Sequence, residues 1–310
     1  MGATISICIP CYKSERYVRT TIESALAQTV PAAEILVSDD HSPDRTSEIL
    51  NEYRDIPLVR ITRPPHRLTL GEHYRFLLEE ATGDYICFLS HDDALMPSFL
   101  ETMQSRLEEG VSLVAAACLE CSRKLVPRRV RGITLPTQTF HPPGGYLHFR
   151  NGNGYTISVS LMSRQALLQV PRLPPQADLA TDWYWAMMLG LAGKVRFVRK
   201  PLGYYRIHES NAGHDNTSGW LHACVALLEF MKSNLKTEYK EDIEERLARV
   251  RETLALFESG NHKTAAKVPP SKILKNFTKD VIAIRYRILP RPISSAERGI
   301  GIALERARRV

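Results

Sequence analysis

Two periodicities alternate along the first hundred residues. An unbroken apolar run at 4–10, TISICIP, ends on Pro10. After a short polar stretch, Val18, Ile22, Ala25 and Leu26 follow at helical spacing. The run predicts a buried strand. The spacing predicts a helix, with Ser14 as its cap and Pro31 closing it. The alternation then repeats. AEILVSDD (33–40) predicts a strand, Ile49, Leu50 and Tyr53 a helix, and LVRIT (58–62) a strand. GEHYRFLLEEATG (71–83) predicts a helix and DYICFLS (84–90) a fourth strand. This order points to an α/β protein with a mainly parallel central sheet and helices on both faces. Between Arg123 and Asn153 the pattern gives way to Pro, Gly and Arg, predicting a loop or excursion that covers the site. YTISVSLMS (155–163) predicts a strand, TDWYWAMMLGLAG (181–193) a helix, and KVRFV and PLGYYRIH two further strands. From Ser218 the pattern is helical until Pro269–Pro270 break it.

Composition adds limits. The 310 residues suffice for one large domain or two modest ones, and a 44% hydrophobic share is ordinary for a globular protein. No apolar run approaches the length of a membrane span. The N-terminus lacks the basic-then-apolar order of a secretory signal, so a cytoplasmic protein is expected. Two C-x-x-C pairs occur, CIPC and CLEC, but far apart, so the six cysteines are expected as buried small hydrophobes rather than zinc ligands.

Three predicted strands end in polar residues: Pro10–Tyr12, Asp39–Asp40 and Asp92–Asp93. In parallel sheets ligands bind beyond the carboxyl ends of the strands, so these segments are expected to share one site. The first turn, IPCYKSERY, contains no glycine, and no G-x-x-x-x-G-K-[ST] loop exists. Phosphate recognition by glycine-rich backbone is therefore excluded, and a carboxylate-held Mg²⁺ or Mn²⁺ is the expected substitute. Alone, Asp92–Asp93 reads equally well as a polar strand exit. Together with Tyr12, Asp39 and Asp40 the reading as a site prevails.

The ordered segments SICIPCYKSERYVRTTIESALAQT, EILVSDDHSPDRT and ATGDYICFLSHDDALMP resemble the family 2 glycosyltransferases, over roughly residues 4–100. The likeness resumes at LATDWYWAMMLGLAGKVRFVRKPLGYYRIHESN. The resemblance implies the GT-A nucleotide-diphospho-sugar transferase fold, with a helical C-terminal extension. It also implies a nucleotide-sugar donor, a divalent metal and an inverting transfer. It carries Pro10 and Tyr12 onto the base pocket, with Glu15 beside the nucleoside. Asp39 becomes the reader of a pyrimidine base, which suits UDP or dTDP. Asp92 lies near ribose and metal, Asp93 becomes the metal ligand and Asp182 the general base. His208 becomes a histidine that in some relatives reaches the metal or diphosphate; a purely structural histidine is the other reading. The chain departs from the pattern at His41 (usually glycine), Lys13, Thr181 and Arg75. Trp183 and Trp185, two apart in a helix, are expected to divide between core and acceptor.

On this reading residues 1–217 form the transferase domain, with a nucleotide half (about 1–110) and an acceptor half (about 111–217). Residues 218–310 form a basic helical extension. From Asn261 to Val310 there are twelve basic residues against three acidic, which is +9, while the first 260 residues sum to −2. Ile273, Phe277, Val281, Ile284 and Ile288 make an apolar stripe through 271–289. That basic amphipathic helix fits either an anionic membrane surface or the catalytic domain itself. No nucleic-acid-binding signature is present. The expected activity is transfer to a glycan or lipid-linked acceptor, in surface polysaccharide or cell-envelope synthesis. The protein would then sit peripherally on the inner face of the membrane. The alternatives are a non-catalytic nucleotide- or membrane-binding protein of the same fold, and a sugar nucleotidyltransferase.

Overall fold

The computed structural model describes residues 2–132, 137–150, 152, 154–209, 211 and 217–259. The predicted amphipathic helix at 271–289 lies outside them. The chain begins with strand β1 (Ile5–Cys11), helix α1 (Val18–Leu26), β2 (Glu34–Asp39), α2 (Thr46–Asn51) and β3 (Val59–Thr62). Then come α3 (Leu70–Glu80), β4 (Tyr85–Phe88), β5 (Ala94–Leu95), α4 (Phe99–Gln104) and the long β6 (Val111–Cys121). β7 (Pro127–Arg131), β8 (Gln138–Phe140), α5 (Gly144–Phe149), β9 (Ser160–Ser163) and α6 (Arg164–Gln169) lead to α7 (Thr181–Ala192). β10 (Lys194–Arg206), α8 (Thr217–Asn234) and α9 (Lys240–Glu258) complete the described chain.

All ten strands of the described residues join one sheet in the order β3-β2-β1-β4-β9-β6-β10-β5, with β7 beside β6 and β8 beside β10. β1 pairs in parallel with β2 and β4, β2 with β3, and β6 with β10. β9 runs antiparallel between β4 and β6. The expected mainly parallel sheet is therefore present, and the carboxyl ends of β1, β2, β4, β6 and β10 share one edge. Its central strands, such as β1, β2, β4 and β6, are buried on both faces, which is why they read as continuous apolar runs. On one face Ile5, Ile7 and Ile9 pack with Val18 and Ile22 of α1, Leu50 of α2 and Phe99 of α4. On the other, Cys8, Phe88 and Leu113 pack with Leu77 of α3 and Trp183 of α7. Leu221 and Leu227 of α8 and Ile243 of α9 belong to that second core.

Several local expectations change. Ser14 does not cap α1 through its side chain. Its carbonyl accepts from the amides of Tyr17 and Val18 while its own amide donates to Thr46 Oγ1, so regular helix starts a turn later. The two strands expected at 194–208 are one strand, β10, whose register slips around Pro201; proline cannot donate to a ladder and is accommodated at the irregularity. In YTISVSLMS only Ser160–Ser163 is strand, because Ile157–Val159 turn as a short 3-10 helix. The expected excursion after Arg123 contains β7, β8 and α5. Both tryptophans of α7 are buried, Trp183 donating its indole N–H to Phe149 O at 2.7 Å and Trp185 stacking near Tyr74 and Phe88. The division between core and acceptor fails because α7 is apolar on all sides and lies within the core. Gly190 lets α7 cross α5 closely, since a Cβ there would meet Tyr146 N within 2.3 Å. All six cysteines are free and buried. Among the described residues no helix is long and apolar enough to cross a membrane.

Candidate active site

Two loops at the carboxyl edge lock together first. After β1, the Lys13 amide donates to Ser42 Oγ and the Glu15 amide to Asp44 Oδ2; the Arg45 amide donates to Glu15 Oε2. Lys13 and His41 hold positive φ, 52° and 56°. His41 occupies the position where the resembled pattern has glycine, so the backbone geometry persists although its usual residue does not.

Asp39 and Asp40 end β2 and are nearly buried. Asp39 accepts from the Ser42 amide at 3.1 Å and pairs with Arg63 at 3.3 Å. Asp40 accepts from the Leu68 amide and pairs with Arg67 at 3.0 Å. The Arg67 guanidinium lies 3.3 Å from the centre of the Tyr12 ring. Beneath them His73 Nε2 meets Ser38 Oγ at 2.8 Å. Burial pushes the His73 imidazole down to about 4, against the partial opposition of Asp40 and Asp39. A depressed folded-state value supports stability above the unfolded value of 6.5, and that support is lost as pH falls through about 4. Acidification through this window is expected to cost about 3 kcal/mol at this group. Urea unfolding across that pH range should give a markedly flatter profile for His73→Gln; parallel profiles would refute the assignment.

The adjacent aspartates have different fates. Asp93 is 1% exposed. Its Oδ2 accepts from Ser158 Oγ at 2.6 Å and its Oδ1 from the Arg206 amide at 2.9 Å. Burial, and then the charge of Asp92, raises its carboxyl well above the usual range. Asp92 moves the other way. Burial opposes its ionisation, but the hydrogen bond from His208 and the nearby His91 outweigh it. His208 Nε2 stands 2.9 Å and Asn211 Nδ2 3.2 Å from Asp92 Oδ2. Their environments thus push the two adjacent carboxyls in opposite directions, which eases their mutual repulsion. The turn at Ile157–Val159 serves this arrangement by bringing Ser158 to Asp93.

Three buried polar atoms near this pair lack hydrogen-bond partners among the described residues: Tyr17 Oη, His91 Nδ1 and Arg206 Nη2. Arg206 spends its other nitrogens on carbonyls, Nε on Asp92 O and Nη1 on Arg123 O, and lies over the Tyr17 ring. The Tyr17 ring also sits 4.8 Å from that of His208. Buried groups left without partners are costly, so their presence near this segment makes it a candidate binding site.

Among the described residues no three His, Cys, Asp or Glu side chains converge as a metal cage. The donor set still fits a hard divalent ion that takes its remaining ligands from phosphate oxygens. Asp92 supplies a carboxylate, His208 an imidazole, and Arg206 Nη2 an unpaired donor for an anion beside them.

Asp182 lies in the first turn of α7. Its Oδ1 accepts from the Trp183 amide, and its carbonyl accepts from Tyr155 Oη. The buried Tyr74 phenol, raised chiefly by desolvation, also feels the charges of Asp182, Asp92 and Asp93. Carboxyls from two distant segments, 92–93 and 182, thus act on one ring. A cavity of about 120 Å³ at the start of α3 and α7 is lined by residues including Glu72, Arg172, Asp178, Thr181 and Trp185, and by none of these three carboxyls. Asp178 accepts from Thr69 Oγ1 and from the Gly71 amide at the start of α3. A Cβ at Gly71 would come within 2.4 Å of Asp178 Oδ1, so that side chain would have to shift. Arg75, where the resembled pattern has asparagine, donates to the carbonyls of Leu167, Leu168 and Val170 and so caps the end of α6.

The model of "Glycosyl transferase family 2" matches residues 6–169, more than half of the chain. The chain belongs to glycosyl transferase family 2. Similar family members include the putative glycosyltransferase EpsH of Bacillus subtilis, 26% identical over 77% of this chain and 73% of its own length. A chondroitin synthase of Escherichia coli is 32% identical over 40% of this chain but only 18% of its own length. Among solved structures, S. aureus TarS 1–349 in complex with UDP-GlcNAc superposes with a TM-score of 0.63 at 17% identity, over 87% of this chain and 78% of that one. The same TarS fragment with UDP gives 0.58 over 79% and 71%. These likenesses establish the GT-A fold for this chain.

Of the candidate site residues read from the sequence, these gather at one edge: Pro10 at the end of β1 with Tyr12 and Glu15 just past it, Asp39 at the end of β2, Asp92 and Asp93 after β4, and His208 after β10. Sequence reasoning missed Tyr17, Tyr74, His91, Ser158, Arg206 and Asn211. Arg206 and Asn211 flank His208 in RIHESN, which was a local signal. Ser158 and Tyr74 had none, since they reach the site only through sheet and helix packing.

Proposed function

We propose that this chain is an inverting, metal-dependent glycosyltransferase that takes sugar from a UDP-sugar, with a dTDP-sugar satisfying the same contacts. The acceptor would be a glycan or lipid-linked glycan, in surface polysaccharide or cell-envelope synthesis. Support comes from the names of the relatives, a putative glycosyltransferase and a chondroitin synthase, and from TarS having been captured with UDP and UDP-GlcNAc. The observation that carries the reading is the set of buried polar atoms without described partners near the ionised Asp92. Such a cluster suits a diphosphate.

In this mechanism Tyr12 and Asp39 hold the base, with Arg63 and Arg67 fixing the carboxylates of Asp39 and Asp40 beneath it. Glu15 braces the loop that carries Tyr12. The sequence reading gave the metal to Asp93. With both oxygens of Asp93 held by internal donors, we assign the ion to Asp92 and His208 and give Asp93 the task of fixing the strand exit. A bound Mn²⁺ or Mg²⁺ would supply charge neutralisation for the departing diphosphate. Arg206 Nη2 adds a fixed positive donor there. Asp182 removes the proton from the acceptor hydroxyl as that oxygen bonds to the anomeric carbon. The bond to the diphosphate breaks on the opposite side and the leaving group takes the electron pair.

Calorimetric titration tests this directly. UDP should bind in the presence of Mn²⁺, at least tenfold more tightly than GDP, and binding should weaken sharply in EDTA. Failure of UDP, dTDP, GDP and CDP alike to bind a folded protein would sink the donor reading.

A further inference from the structure

Between Glu120 and Asp178 the chain carries eight lysines and arginines and no acidic residue. Three of the eight are used inside the fold. Arg150 pairs with Asp242, Arg172 pairs with Glu79, and Arg164 donates to Leu78 O. The other five, Arg123, Lys124, Arg128, Arg129 and Arg131, crowd into nine residues at the β6–β7 hairpin. The tight turn is closed by Ser122, whose amide donates to Val126 O, and by the Leu125 amide donating back to Ser122 O. Every residue of β7 is exposed.

Two features set this hairpin apart from an ordinary charged edge. Val126 is 59% and Val130 48% exposed, more than any other large apolar side chain described. Cations on an edge strand discourage pairing between copies, but valines standing beside them work against that purpose. Only part of the charge is neutralised: Arg129 pairs with Glu120 and Arg123 with Glu209, while Arg131 lies over the Tyr205 ring. Lys124 and Arg128 form no ion pair with a described residue. Exposed apolar side chains interleaved with unneutralised cations are the pattern that binds an anionic lipid interface, where the apolar groups enter the acyl boundary and the cations meet headgroups.

We infer that the β6–β7 hairpin is a contact element for an anionic membrane surface, separate from the basic C-terminal region. The hairpin is joined to the active edge. Arg206 Nη1 holds Arg123 O while its Nε holds Asp92 O. Docking through the hairpin would bring the carboxyl edge of the sheet to the lipid. The use of that geometry rests on the proposed transfer to a lipid-linked acceptor, but the contact itself can be tested without any transfer.

The test is co-sedimentation of the full chain with phosphatidylcholine vesicles, with and without phosphatidylglycerol. Wild type should partition to the anionic vesicles. Lys124→Gln/Arg128→Gln should lower the partition coefficient about 25-fold, at about fivefold per cation. Val126→Ser/Val130→Ser should lower it about tenfold. Both variants should keep the wild-type circular dichroism and the wild-type UDP titration, so loss of lipid binding cannot be confused with loss of fold or of the donor site. Wild-type partition in both variants would overturn the inference and assign lipid binding to the C-terminal region. No binding of wild type would overturn it outright. A loss confined to the charge variant, matched by equal loss of heparin binding, would overturn it in favour of an anionic polymer.

Discussion

Asp182→Asn is expected to lower sugar transfer about 10³-fold while leaving UDP affinity within about twofold. The asparagine keeps a carbonyl oxygen to accept from the Trp183 amide, and the backbone carbonyl still accepts from Tyr155, so α7 should start as before. What disappears is the proton acceptor. Steady-state transfer assays across pH, with UDP titration in parallel, separate the two roles. A residue that only shapes the helix would change stability and leave the acidic limb of the pH–rate profile in place; a base removes that limb. Activity within tenfold of wild type would exclude Asp182. Attention would then pass to Asp178, whose carboxyl is raised by burial beside the cavity at the start of α3 and α7.

Asp92→Ala should weaken Mn²⁺-dependent UDP binding on the order of 100-fold and make the remainder indifferent to EDTA. The substitution removes an acidic partner of His208 and an acceptor of Asn211. It spares the backbone carbonyl that holds Arg206, so the strand exit should survive. Asp93→Asn is the comparison. Both its oxygens are held by internal donors, so the amide should change metal dependence little, although thermal unfolding should register any disturbance of the Ser158 contact. The reverse result, with metal dependence lost at Asp93 and kept at Asp92, would restore Asp93 as the ligand and refute the assignment of the ion to Asp92.

These two variants probe what one-dimensional reading left open. Sequence alone determined the succession of parallel strands and helices, because strands buried on both faces must be apolar throughout and amphipathic helices must repeat every three to four residues. It also determined that the candidate site residues would share one edge, since polar residues clustered at the strand ends around Tyr12, Asp39 and Asp92. The internal order of HDD could not be read this way. Adjacent residues in a turn point in unrelated directions, and only packing decided that Asp93 faces inward to Ser158 while Asp92 faces His208. The same holds for Trp185. Its helix carries no polar face, yet whether a tryptophan meets solvent or core depends on what the rest of the chain lays over it, here Tyr74 and Phe88. The excursion after Arg123 shows the limit most clearly. Its prolines, glycines and arginines lack any period, because an edge strand with every residue exposed has no buried face to impose one. Periodicity records burial, so it reveals the core of this protein and the edge where the core ends. Contacts made across the sheet, such as Arg206 to Asp92 and Ser158 to Asp93, leave no trace in sequence spacing and are fixed only by the tertiary structure.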